Sequence, residues 1–373
     1  MRSRPRADTA GTGLVALLRA PGAAHGVSPR DWERLIAAGR EAGLLGRVYW
    51  ALQQAGALGA VPAAPAAHLH SAWLAAEAQR RAVVREVAYL AELLAGVVPR
   101  VVLLKGAAYA LAGLPPAAGR QFSDIDLLVP REALATVEAR LNRVGWLGTH
   151  HGAYDQRYYR EWMHELPPLR HPQRGSTLDV HHTILPETAR FRPDADALVS
   201  AARAVPGHSR LAVLAPEDMV IHSATHLFVD GEIPNGLRDL VDLDALLRHF
   251  GSTAAFWDAL PGRARALQLG APLWLALHYC RRMLGTPVPG ACADALAADA
   301  PSTTGLAVLD ACYGRLLLPQ VPGEPGGGGR GVAAMTIFLR GHWLRMPLPL
   351  LARHAFRKGV VVPLFGDGAS SRP

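Results

Sequence analysis

Two aspartates, Asp124 and Asp126, stand one residue apart in the run Ser123-Asp124-Ile125-Asp126-Leu127-Leu128-Val129-Pro130. A strand alternates its side chains between faces, so Ile125, Leu127 and Val129 would point to a core while both aspartates share the opposite face. Like charges side by side on a sheet repel, and folding offers nothing in return. A divalent cation removes that penalty. The run is therefore expected to be a strand ended by Pro130, and the pair to be a metal site.

The rest of the chain must build a scaffold around that strand. Its 373 residues suffice for about two or three domains, and with half of them hydrophobic and 19% charged the chain is not a disordered one. Of 39 basic residues only Lys105 and Lys358 are lysines, which draws attention to Lys105, just upstream of the aspartates. The net charge of +8 suits a polyanion such as a nucleotide. The arginines are scattered, however, and form no basic block with interleaved aromatics, so a long nucleic-acid groove is not favoured. Cys280, Cys292 and Cys312 fit neither a disulfide framework nor a zinc motif, which points to a reducing, cytoplasmic setting. No secretory leader is evident, and no apolar stretch reaches the ~18–20 residues of a spanning helix.

Ser28-Pro29-Arg30-Asp31 is a helix start, with Ser as cap, Pro in the first turn and an acid three residues on. A long helical pattern runs from His68 to Leu94, while residues 1–12 read as polar and frayed. Val101 to Leu104 reads as a buried strand ending at Lys105-Gly106, followed by a helix from Ala107 to Leu111 that Pro115-Pro116 breaks. Arg131 to Val144 reads as an amphipathic helix. In Thr177 to Ile184, Leu178 and Val180 face one way, Asp179 and His181 the other. Helices return at Pro216-Glu217-Asp218, running through His222 and His226, and again from Leu237 to Phe250. Gly323 to Gly331 reads as a linker, and the apolar, basic tail beyond it packs on the core or forms a surface helix, cut short by Pro347 and Pro349. The expected fold is α+β, a small mixed sheet between helical regions, divided as 1–98, 99–205, 206–320 and 321–373.

Strand, glycine turn, helix, a strand with Asp-x-Asp and a later strand with a lone Asp are the parts that nucleotidyl transfer requires. Hard oxygen ligands hold Mg²⁺ for an in-line displacement, backbone N–H groups at the glycine turn can meet phosphate, and a basic side chain can neutralise its charge. Leu104-Lys105-Gly106, Arg120, Ser123 to Val129 and Leu178-Asp179-Val180-His181 together resemble the poorly characterised nucleotidyltransferase family within the DNA polymerase β-like superfamily. The resemblance runs from about residue 30 to about residue 250. Superfamily members usually carry Gly-Ser at the turn, where this chain has Lys-Gly, and Lys105 precedes Asp124 by a longer gap.

The resemblance implies that Asp124, Asp126 and Asp179 are catalytic and ligate two Mg²⁺ ions, with Asp179 also helping to deprotonate the acceptor. It implies that Lys105, Gly106, Arg120 and Ser123 bind the nucleotide. The expected reaction moves a nucleoside monophosphate from ATP or another NTP to a hydroxyl of a small molecule, peptide or protein, releasing pyrophosphate. A nucleotide-binding regulator that has lost catalysis is the alternative. His181 is a candidate partner of Asp179. His222 and His226 share a helix face but lack a third metal ligand, and Arg238, Asp239 and Asp242 read as interhelical ion pairs.

Overall fold

The computed structural model describes residues 9–149, 163–323 and 328–347. The helical lead-in comprises α1 (Ala10–Arg19), α2 (Pro29–Glu41), α3 (Leu45–Gln54) and the long α4 (Ala63–Leu93). Thr9 caps α1, and Leu14, Val15 and Leu17 are buried, so residues 10–12, expected to be frayed, lie within the helix. Ser28 caps α2 as its sequence requires, accepting from the Asp31 amide at 3.2 Å.

The sheet has seven strands: β1 (Val101–Leu103), β2 (Ile125–Leu128), β3 (Leu147–Gly148), β4 (Leu169–Arg170), β5 (Thr177–His181), β6 (Arg203–Val205) and β7 (His208–Val213). Between these lie α5 (Lys105–Leu111), α6 (Leu134–Asn142) and α7 (Ala195–Ala201). The segment read as one helix from Arg131 splits into a short 3₁₀ turn, Arg131–Ala133, and α6. The spatial order is β3-β4-β5-β2-β1-β7-β6. β2 runs parallel to β5 and antiparallel to β1, and β1 runs parallel to β7. The fold is thus α+β with one mixed sheet. β1 and β2, buried on both faces, occupy its middle, as continuous apolar runs should.

The register decides where the chemistry can lie. Ile125 pairs with Leu178, Asp126 with Asp179 and Leu127 with Val180. Period-2 alternation then sends the four apolar side chains to one face and Asp126, Asp179 and His181 to the other. The sheet also continues past residue 205, where the sequence reading placed the end of the core: β7 reaches Val213 and lies beside β1.

The remaining helices are α8 (Pro216–Val229), α9 (Gly236–Phe250), α10 (Ala254–Ala266), α11 (Gly270–Tyr279), α12 (Gly290–Ala295), α13 (Thr303–Leu316) and α14 (Arg330–Arg345). α8 is the hub of this half and packs on α9, α10 and α11. α14 lies on α13 and α8 and buries Ala333, Ile337 and Leu344. The part of the tail beyond Pro347, including Pro349 and Lys358, lies outside the described residues. One apolar cluster runs from Ala10 to Leu344. All three cysteines are buried and free. Among the described residues no helix is long and apolar enough to cross a membrane.

Candidate active site

The polar face of β2 and β5 gathers charge at the sheet's centre. Asp126 is 4% exposed. Its Oδ1 lies 3.2 Å from Lys105 Nζ and 3.1 Å from His181 Nε2. Lys105 reaches it because β1 is antiparallel to β2 and because the Leu104 amide donates to the Asp126 carbonyl at 3.0 Å. The chain then turns sharply into α5, with Lys105 at φ +42°. That is left-handed backbone for a residue with a side chain, costing on the order of 1–2 kcal/mol. The lysine is held there by what it touches.

Burial disfavours charge on both partners, and the pairing overcomes it. Burial would raise the Asp126 carboxyl, but Lys105 and then His181 hold it far below the ordinary carboxylate range. Burial would lower the Lys105 ammonium, but Asp126 and Asp124 keep it charged and push its pKa up. Asp179 has no such cation. Burial first, then repulsion from Asp126 and Glu165, push its carboxyl up to about 7. Its Oδ1 is buried and has no hydrogen-bond partner among the described residues. Asp124 stands just before β2, partly exposed, and accepts from Ser123 Oγ at 2.9 Å. Its charge is felt at both Asp179 and Lys105. Lys105 and the three aspartates named from the sequence thus belong to one electrostatic cluster.

Arg120 and Gly106 sit elsewhere in the arrangement. Arg120 is 9% exposed, and its Nε donates to Asp242 Oδ2 at 2.8 Å. Asp242 projects from α9 and also faces the buried Arg47 Nη2 at 3.9 Å. A Cβ on Gly106 would lie 2.6 Å from Arg120 Nη1. The close approach at Gly106 is therefore made by Arg120. Arg120 has a visible duty here, fixing the loop behind the turn to α9.

α8 closes the other side of the cluster. His222 is buried, and burial followed by the charge of Lys105 keeps its imidazole pKa well below the ordinary value. His226 Nε2 lies 3.6 Å from Asp230 Oδ2, and Arg345 of α14 donates to Asp230 Oδ1 at 3.0 Å. Arg238 pairs with its neighbour Asp239 at 3.1 Å.

Glu165 was not legible beforehand. The Leu166 amide donates to the Val180 carbonyl and the His182 amide to the His164 carbonyl. These two bonds flank Glu165 and His181 and set them directly opposite each other. Glu165 Oε2 then lies 3.1 Å from His181 Nδ1. Spacing along the chain carries no hint of this, because only strand pairing brings the two together.

On the outer side of Asp124, α4 and the β4–β5 hairpin enclose a cavity of about 580 Å³. Gln79, Arg85, Glu86, Phe122, Ser123 and Thr177 are among its walls. Arg174 braces it, pairing with Glu86 at 2.6 Å and lying over the Tyr89 ring.

A family model described as an uncharacterised nucleotidyltransferase matches residues 28–285. No curated protein and no solved structure matches the chain.

Proposed function

The chain belongs to the uncharacterised nucleotidyltransferase family, and from that premise we propose that it transfers a nucleoside monophosphate from an NTP to a hydroxyl, releasing pyrophosphate, in the manner of DNA polymerase β-like enzymes. The observation that carries the reading is the side-by-side placement of Asp126 and Asp179 on parallel strands, with Asp179 Oδ1 buried and unbonded. An orphaned carboxylate oxygen beside a second carboxylate is what a hard cation needs. Asp124, Asp126 and Asp179 would hold Mg²⁺, two ions in the full complement, which when bound supply the positive charge that in-line displacement at phosphorus demands.

The chain's own groups then divide the work. The acceptor hydroxyl attacks the α-phosphorus, the bond to the bridging oxygen breaks, and pyrophosphate leaves with the electron pair. Asp179 accepts the hydroxyl proton. Lys105, 3.2 Å from Asp126, offsets charge on the phosphates. Ser123 steadies Asp124. Arg120, with Asp242, keeps the Lys105-Gly106 turn seated. The cavity beside Asp124 is the seat for the acceptor, and its mixture of charged, amide and hydroxyl groups suits a polar molecule.

The test supplies the protein with NTPs labelled at the α-phosphate, Mg²⁺ and fractionated cell extract. A labelled acceptor together with pyrophosphate is the expected result. Nucleotide that binds but never transfers, whatever acceptor is offered, would convert the reading to a regulatory binding protein. A chain that binds no nucleotide would remove both.

A further inference from the structure

We propose that His164, Glu165 and His181 form a second cation site, adjoining the aspartate cluster through His181 and suited to a borderline divalent ion of the zinc class. The site does not depend on the transferase reading, since it concerns what these three side chains bind and not what is transferred.

Geometry carries the argument. Glu165 and His181 are directly opposed on antiparallel backbone, and the bonds on either side of them make theirs a non-hydrogen-bonded pair, the kind whose side chains approach most closely. Glu165 Oε2 lies 3.1 Å from His181 Nδ1 and 3.9 Å from His164 Nε2. One ligand atom from each of the three residues falls within 4.8 Å of the other two. Tetrahedral zinc with N and O ligands at ~2.0–2.1 Å separates its ligand atoms by roughly 3.3 Å, a value that lies between the two measured separations. The His164 and His181 rings stack, with centroids 5.3 Å apart.

The pattern of unmet polar atoms points to a ligand. The His181 side chain is 6% exposed, yet among the described residues its Nδ1 has no hydrogen-bond partner, because Glu165 is close but not aligned to accept. Buried ring nitrogens without partners are uncommon. A cation between Glu165 and the two rings would satisfy His181 Nδ1 and use the carboxylate at the same time. The other nitrogen of His181, Nε2, lies 3.1 Å from Asp126 Oδ1. Metal-ligating histidines commonly donate their second ring N–H to a carboxylate, which orients the ring and raises its basicity.

The donor set selects the ion. Two imidazoles and one carboxylate suit zinc and its neighbours, and Mg²⁺ is excluded by its demand for oxygen. Three protein ligands leave a position open. The arrangement would tie the segment before β4 to β5 and fix the ring that faces Asp126.

Chelator-stripped full-length protein should take up one equivalent of Zn²⁺ against a chromophoric competitor, and excess Mg²⁺ should not displace it. His164→Ala and Glu165→Gln should each weaken uptake at least ~10-fold, and Asp126→Asn by ~10–100-fold through loss of the outer carboxylate. Co²⁺ in place of zinc tests the ligands without any variant. It should give the visible bands of a low-coordinate N/O site with no thiolate charge-transfer band. Folded wild-type protein that binds no zinc would overturn the proposal. So would variants that bind as the wild type does, or a cobalt spectrum showing thiolate ligation.

Discussion

Asp126 is a carboxylate at every pH of interest because a lysine and a histidine share one of its oxygens, while Asp179, beside it in register, titrates near neutrality for want of a cation. Neighbours of one residue type are driven apart by environment alone. His222 illustrates the same principle with the opposite sign. Folded, it stays neutral well below the usual range. Unfolded, it takes a proton near about 6.5. The unfolded state therefore binds more protons below that pH, and stability falls as pH falls. Urea unfolding between about pH 7.5 and about pH 5.5 should show the wild type losing up to ~1.4 kcal/mol per unit more than His222→Gln. Parallel slopes for the two proteins would show that His222 is not buried neutral. Gly106→Ala is a second test at this scale. The methyl group would meet Arg120, which is bonded to Asp242 and cannot swing clear. A loss of ~1–3 kcal/mol is expected in chemical unfolding, and a neutral substitution would mean that the loop yields.

At the scale of elements, β2 and β5 were legible because each is long enough for period-2 alternation to fix which face holds the acids. α2 was legible from its cap and α4 from its apolar spacing. β3 and β4, two residues each, carry no period at all. The β6–β7 hairpin turns at Pro206-Gly207, with Gly207 at φ +79°, but the polar His208, Ser209 and Arg210 hide the strand that follows. The acids of the site were thus readable from local pattern. Glu165 and the tie between Arg120 and Asp242 were not, because each depends on residues brought together from distant parts of the chain. Asp242 holds two buried guanidinium groups, Arg120 and Arg47, and so joins α9 to α3 and to the loop before β2. Removing one partner of a buried ion pair strands the other. Asp242→Ala should cost ~3–5 kcal/mol, and a loss under ~1 kcal/mol would contradict the anchoring role.

Across the whole molecule, helices before and after the sheet enclose its polar face, and α14 returns from the far end of the chain to reach α8. Arg345 bonds to Asp230, and the Arg190 amide donates to the Leu344 carbonyl. The tail was open to core packing or a surface helix, and its described helix shows both faces: Ala333, Ile337 and Leu344 are buried, while Val332, Met335 and Leu339 remain exposed. Ile337→Ala should therefore cost ~2–5 kcal/mol in urea unfolding, and Leu339→Lys should change stability by no more than ~0.5 kcal/mol. Equal effects would mean that α14 is docked by a different face.

The transferase reading rests on the paired acids at the centre of the sheet. Asp126→Asn and Asp179→Asn each remove a charge at nearly constant volume; Asp126→Asn also leaves the Lys105 ammonium without its carboxylate and should lower stability, so a thermal melt first verifies that each variant is folded. Pyrophosphate release and label transfer in Mg²⁺, measured for the wild type and both variants with an acceptor that the wild type uses, test the claim directly. The account predicts turnover by the wild type and a loss of at least ~10³-fold in each variant, in line with removal of a group that stabilises transition-state charge. Folded variants that turn over as fast as the wild type would contradict it.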